Sequence, residues 1–326
     1  MNQLNIPFKN FIYKLTQTTK IDILPQASID ALEKDLVDLF KKFEKDNNNC
    51  RINSFFTFDQ TLDSNRYRPL GQDLNKNYEF VFSGCSQTHG DHVTPPLVSH
   101  GDHNYIWGFQ IANKYNKEAL NLGMGGWSVE AIHKGLMHHF RQNGHPKVLL
   151  VLLPDFGRMS FVDNEKIISK DLLNVHELVQ HLFIQPWDET EYESISKAPH
   201  YAHTVLPWTQ SLYTSIQHLL LLDRYCEMNN IYFKYSSWDH NANLLLKILK
   251  NILPEYKNFV EPKALNTLRL KEHNKVMGIV CHEDIKNNYP SDIWDSGIDN
   301  AHIGIHQHMH IAEEFMEQID NDNPWN

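Results

Sequence analysis

Tyr78-Glu79-Phe80-Val81-Phe82-Ser83-Gly84-Cys85-Ser86-Gln87-Thr88-His89-Gly90 is the stretch from which the rest of the chain is read. Residues 78–82 form a compact apolar and aromatic run that passes at once into Ser-Gly-Cys-Ser, so the pattern predicts a buried strand ending in a tight turn. A strand-to-helix turn of this kind can hold a small nucleophile beside backbone N–H groups, at the carboxyl end of a sheet where doubly wound folds bind ligands. Ser86 occupies that position. A Gly/Ser turn without chemistry is the plain alternative, and this segment alone does not separate the two.

Working outward, helical spacing is expected around 105–115, a second strand at 118–123 (EALNLG) and a helix at 128–140 with Val129, Ile132, Leu136 and Phe140 on one face. VLLVLL at 148–153 reads as a parallel strand covered on both faces. Residues 160–205 are polar and histidine-bearing and are treated as an insertion. A long helix at 206–230, a strand at 231–238, a helix over 240–252 and a last helix at 305–319 follow. Strands alternating with helices imply a mostly parallel sheet wrapped on both sides.

Upstream, residues 26–46 place Ile29, Leu32, Leu36, Leu39, Phe40 and Phe43 at helical spacing between charges, an amphipathic helix. The Asn- and Asp-rich stretch after it has no sustained period and reads as irregular chain. The expected organisation is therefore an N-terminal extension over 1–76 and one catalytic-type domain over 77–326. A total of 326 residues is compatible with this, because single cores stop growing near ~250–300 residues.

The formal charge of −10 argues against nucleic-acid binding, which needs a basic stripe to displace phosphate counterions. Cys50, Cys85, Cys226 and Cys281 lack the spacing of a zinc ribbon or disulfide framework and read as free thiols. The first residues, MNQLNIPFKNFIYKL, carry no uninterrupted apolar core of a signal peptide, and no stretch reaches the ~18 apolar residues of a membrane span. Synthesis in the cytoplasm, without membrane association, is the expectation.

Two further segments carry chemistry. Asp299-Asn300-Ala301-His302 precedes the last helix: a serine hydroxyl needs a histidine to take its proton, and the histidine needs a carboxylate to fix its tautomer. Asn121-Leu122-Gly123-Met124-Gly125-Gly126-Trp127-Ser128 ends the second strand, where glycines let a backbone N–H approach a developing oxyanion and Ser128 can cap the next helix. Each has a bland reading, an acidic histidine-rich surface and a tight turn respectively.

In this order, the three segments resemble the SGNH (GDSL-type) hydrolase superfamily, in a style similar to members from marine phages. The Gly-Asp-Ser-x-(Thr/Ser)-x-Gly block of that family looks like residues 84–90 with Cys85 in place of Asp. NLGMGGWS looks like its glycine block, with Gly126 matching the oxyanion-hole glycine. Asp299 and His302 look like its closing Asp-x-x-His, and Gly304, His308 and Ala312 continue the pattern. The resemblance implies a flavodoxin-like three-layer α/β/α sandwich and hydrolysis of acyl esters, often acetyl groups on carbohydrate, without metal or other cofactor. It implies Ser86, Asp299 and His302 as catalytic residues, with the Ser86 and Gly126 N–H groups as the oxyanion hole.

The third block departs from the family. Where Gly-x-Asn-Asp is expected after the third strand, this chain has Leu153-Pro154-Asp155-Phe156-Gly157-Arg158. Ionised Asp155 only accepts hydrogen bonds and would oppose an oxyanion, whereas Arg158 is a candidate substitute donor and His89 a candidate pocket residue. Three readings follow. The first is a serine esterase acting on a small-molecule or glycan ester. The second is a structural or binding protein keeping the fold, for example in a virion or a homo-oligomer. The third is a metal-dependent hydrolase built on the two HGDH repeats, His89–His92 and His100–His103. Since the chain carries 20 histidines, such clusters also arise by chance, and the leading reading assigns no metal.

Overall fold

The computed structural model describes residues 34, 51–57, 72–73, 75–90, 106–125, 127–156, 158–162, 180–185, 208–262, 303 and 305–325. In chain order the elements are β1 (Arg51–Thr57), β2 (Phe80–Gly84), α1 (Ser86–His89), α2 (Trp107–Lys114), β3 (Ala119–Asn121) and α3 (Val129–Asn143). They continue with β4 (Val148–Leu153), β5 (Met159–Val162), β6 (Gln180–Gln185), α4 (Trp208–Met228), β7 (Tyr232–Ser237), α5 (His240–Ile252) and α6 (Ile305–Asp322).

The main sheet is parallel, in the order β3-β2-β4-β7. Beyond β7, Phe259 makes a single parallel bridge to Tyr235, with Tyr235 N–H donating to Asn258 O and Val260 N–H donating to Tyr235 O. That extends the order by one rudimentary strand, giving the 2-1-3-4-5 arrangement of a flavodoxin-like sheet. Strand β2 is the turning point: the chain leaves it to one side for β3 and then crosses back to β4 on the other.

Burial follows the period-2 geometry of a strand. Val148, Leu150 and Leu152 of β4 face one layer with Phe80 and Phe82, whereas Leu149, Val151 and Leu153 face the other with Val81. The first layer is closed by α2 and α6, where Trp107 stacks on Phe315 with ring centroids 5.2 Å apart. The second is closed by α3, α4 and α5 through residues such as Ile132, Ile216 and Leu246. The architecture is a three-layer α/β/α sandwich. Burying each such side chain is worth about 1.5–3 kcal/mol, which explains why β4 admits no polar residue.

Helix boundaries follow local chemistry. Ser128 caps α3 by accepting from Ala131 N–H, as its place in the sequence suggested, and Asp239 caps α5 by accepting from Ala242 N–H at 2.7 Å. His308 of α6 is fully buried, and its Nδ1 accepts from the N–H of Trp107 at the start of α2, so it packs the two helices together. No helix among the described residues is long and apolar enough to cross a membrane.

A second, antiparallel sheet has the order β1-β6-β5. Residues 51–57, read as irregular chain, form a strand in it, and its partners are residues 159–162 and 180–185, all but Met159 within the expected insertion at 160–205. Pairing so remote, Arg51 opposite Gln185, leaves no local signature in the sequence. The strand β2 also runs two residues later than expected, to Gly84. Of the amphipathic stretch at 26–46 only Lys34 is described, helical and exposed; the rest lies outside the described residues.

Between α3 and α4, His133 Nδ1 and His218 Nδ1 lie 2.8 Å apart, with Glu130 and Lys134 beside them. At that distance one ring donates and the other accepts, so both cannot be charged. Burial first, then His218 and Lys134, pushes His133 down to about 4, and burial lowers His218. The unfolded chain takes up protons near the ordinary histidine value that the folded pair refuses. Stability is therefore expected to be full above pH ~7 and to fall by on the order of 2 kcal/mol between pH ~6.5 and ~4. Denaturant unfolding across that window should show the slope, and the His133→Gln/His218→Gln variant should flatten it.

Candidate active site

Ser86 opens α1 at the carboxyl end of β2, and Asp155 follows the carboxyl end of β4. These two loops diverge at the switch point of the strand order, where doubly wound sheets leave a crevice for ligands. Ser86 is 6% exposed. As first residues of a helical turn, Ser86 and Gln87 have N–H groups with no acceptor within that turn. The turn is closed behind them: Thr88 and His89 N–H donate to Cys85 O at 2.9 Å, and Gly90 N–H donates to Ser86 O at 3.0 Å.

The approach of β2 to β4 explains Gly84. A Cβ there would overlap Thr88 Oγ1 and lie 2.6 Å from the Leu152 carbonyl oxygen on β4. Gly123 has a parallel role, since a Cβ would lie 2.8 Å from the His89 N and 2.9 Å from Thr88 Cβ. The glycine segment after β3 thus packs directly on the turn that carries Ser86. Asn121 locks the two together: its Nδ2 donates to Thr88 O at 3.0 Å, and its Oδ1 accepts from Gly123 N–H at 2.8 Å. Ser83 Oγ donates to Leu122 O, and Met124 N–H donates to Gly84 O.

Two other loops reach the same turn. Trp238, after β7, donates its indole N–H to Cys85 Sγ at 3.0 Å. Cys85 is fully buried in the layer with Phe82 and Trp107, where a thiol is accommodated more cheaply than a carboxylate would be. From the other end of the chain, Ile303 N–H donates to Gln87 Oε1 at 2.8 Å.

Arg158 is buried, and its backbone N–H donates to Asp155 O at 3.3 Å. Its Nη1 donates to Trp127 O at 3.4 Å, and the guanidinium lies 5.3 Å over the Trp238 ring. The cation therefore bridges the loops after β3 and β7 across the carboxyl edge of the sheet. Asp155 is 6% exposed, one turn from this cation.

Among the expected site residues, Ser86, His89, Asp155 and Arg158 come to this edge of the sheet. Gly126, Asp299 and His302 lie outside the described residues, and so do Asp91, His92, His100, Asp102 and His103 of the HGDH repeats. Among the described residues, no three His, Cys, Asp or Glu side chains form a group able to hold a metal ion. Sequence reasoning missed Asn121, Gln87 and Trp238. Asn121 carries a usable signal, a polar residue ending an apolar strand two positions before a glycine; the contacts of Gln87 and Trp238 are long-range.

No protein-family model and no curated protein sequence matches the chain. Among solved structures, it is similar to a carbohydrate esterase family 2 enzyme with a carbohydrate-binding domain from Corynascus thermopiles (Myceliophthora fergusii), at 12% identity and a TM-score of 0.38, covering 77% of this chain and 68% of that one. It is also similar to an acetyl xylan esterase from the rumen bacterium Butyrivibrio proteoclasticus, at 12% identity and a TM-score of 0.36, covering 77% and 66%.

Asn121→Ala would leave the Gly123 N–H and the Thr88 carbonyl without this partner in a buried setting. It is expected to lower the unfolding free energy by about 2–4 kcal/mol, read by denaturant titration.

Proposed function

We propose that this chain is a serine esterase that hydrolyses acyl esters, with an acetyl group on carbohydrate as the leading substrate class. The observation that supports this best is the placement of Ser86: it opens the turn after β2 at the switch point, on backbone held by the carboxyl ends of β3, β4 and β7. In the proposed reaction Ser86 Oγ attacks the acyl carbonyl while His302 takes its proton, and Asp299 orients His302 and stabilises the imidazolium. The tetrahedral oxyanion is held by the N–H groups of Ser86 and Gly126. Collapse expels the alcohol, which receives the proton from His302. Water then attacks the acyl-enzyme by the same route, releasing the acid and restoring Ser86.

Asp155 favours a second reading, a binding or virion protein that keeps the fold without turnover, because a carboxylate cannot donate to the oxyanion. Arg158 counters it by placing a buried cation one turn from Asp155.

A fluorophosphonate probe separates the two. Labelling of the folded chain that is lost in Ser86→Ala supports catalysis, and failure to label would sink it. In the esterase, Asp155→Asn is expected to raise kcat by about 10–100-fold on a simple acetyl ester, by restoring a donor whose loss costs roughly 10²–10³ elsewhere.

A further inference from the structure

His133 and His218 stand on neighbouring helices of one layer, α3 and α4, with their Nδ1 atoms 2.8 Å apart. Ile132 and Leu136 of α3 share a core cluster with Ile216 and Leu219 of α4, so close packing beside the pair fixes the spacing of the two helices and with it the spacing of the rings. The side chains of His218 and of the adjacent Glu130 are 19% exposed and that of Lys134 is 40% exposed, so small ions in solution reach the pair.

Glu130 Oε1 lies 3.8 Å from the other ring nitrogen of His218, Nε2, and 2.6 Å from Lys134 Nζ. Its charge favours a proton on Nε2, which leaves Nδ1 of His218 as the nitrogen with the lone pair. A histidine that ligates a metal is commonly set in this way, by a carboxylate on its second nitrogen. Lys134 faces the same pair and opposes a further cation, and its ion pair with Glu130 offsets that charge. Burial keeps both rings neutral at neutral pH, with His133 pushed down to about 4 and His218 lowered, so protons do not compete for the nitrogens there.

The distance selects the kind of ion. Two nitrogens 2.8 Å apart, each about 2.0–2.1 Å from a metal, subtend roughly 85° at it, close to the cis angle of a tetragonal or octahedral ion. A tetrahedral ion would need the nitrogens about 3.3 Å apart. Cu²⁺ and Ni²⁺ take the first geometry, and Cu²⁺ heads the affinity order for such ligands.

We propose that His133 and His218 form a two-histidine site for a divalent transition-metal ion of tetragonal preference, Cu²⁺ foremost, which joins α3 to α4. On binding, the proton that His133 Nδ1 shares with His218 passes through water to His133 Nε2, and both Nδ1 lone pairs turn to the ion. Among the described residues no third His, Cys, Asp or Glu completes a metal-binding group, so water fills the remaining positions. The proposal does not rest on the esterase reading.

The test titrates Cu²⁺ into the full chain at about pH 7.5, read by calorimetry and by electron paramagnetic resonance, and compares His133→Gln, His218→Gln and, as a control, His310→Gln, whose side chain is 45% exposed on α6. Losing only the partner of a ligand costs about 10–100-fold in metal affinity, so losing a ligand is expected to cost at least about 10-fold in each of the first two variants, with the control within about twofold of the parent. The parent is expected to give a tetragonal spectrum with imidazole nitrogen coupling and to bind Zn²⁺ at least about 10-fold more weakly than Cu²⁺. Equal affinity and stoichiometry in the parent and all three variants, as copper held by other histidines would give, overturns the site. Zn²⁺ binding as tight as Cu²⁺ overturns the geometry assigned to it. Should one variant fail to fold, the other removes a ligand from the opposite helix and decides; should both fail, a parent spectrum without imidazole nitrogen overturns the proposal and one with it sustains it.

Discussion

The close approach of the Gly84 backbone to the Leu152 carbonyl on β4 is the constraint on which the rest of the candidate site depends. Two parallel strands meet there with no side chain between the turn and its neighbour. Because the turn lies flat against β4, its next residues come within hydrogen-bond reach of the loops that end β3 and β7. Ser83, Thr88 and Cys85 then find partners in Leu122, Asn121 and Trp238. A larger residue at 84 would lift the turn and break these contacts together, since they share one short segment of backbone.

That arrangement needs a sheet that does not shift. Strand β4 supplies it, with six apolar side chains alternating between two helical layers and a register that pairs Gly84 with Leu152 and Leu153 with Ser237. At the far side of β7, Ser237 Oγ donates to Leu153 O and accepts from Asp239 N–H, while the Asn243 amide pairs with both backbone groups of Ser237. Ser237, Asp239 and Asn243 thus close on one another or on the backbone. Buried polar groups satisfied in this way specify one geometry, where apolar packing alone would tolerate several.

The parts of the fold legible in the sequence are those with a local signal. VLLVLL is read correctly to the residue because a strand buried on both faces must be apolar throughout, and the 240–252 helix because its apolar period is bounded by Asp239. The Ser86 turn is legible because Gly84 and Gly90 punctuate it. What escaped is set by distance along the chain. β1 has its partner more than a hundred residues away, and the strip at 258–260 makes one bridge among the described residues, with Asn258 donating to the buried Asp223. Likewise nothing near Gln87 announces Ile303.

The electrostatics of the third block follow from the same geometry. A carboxylate beside a developing oxyanion does harm twice, by withholding a donor and by repelling the charge. At about 4 Å and an effective dielectric near 20 the repulsion alone is roughly 4 kcal/mol, as large as the contribution of one oxyanion-hole donor. Asp155 is therefore compatible with catalysis only if its charge is offset nearby. Arg158 lies in the turn that Asp155 begins, its backbone N–H on Asp155 O and its buried guanidinium on Trp127 O and over the Trp238 ring. Cys85 matters to the same balance: an Asp at that position would bury a further carboxylate beside Trp238, at an edge that already holds the buried Asp155 and Asp239.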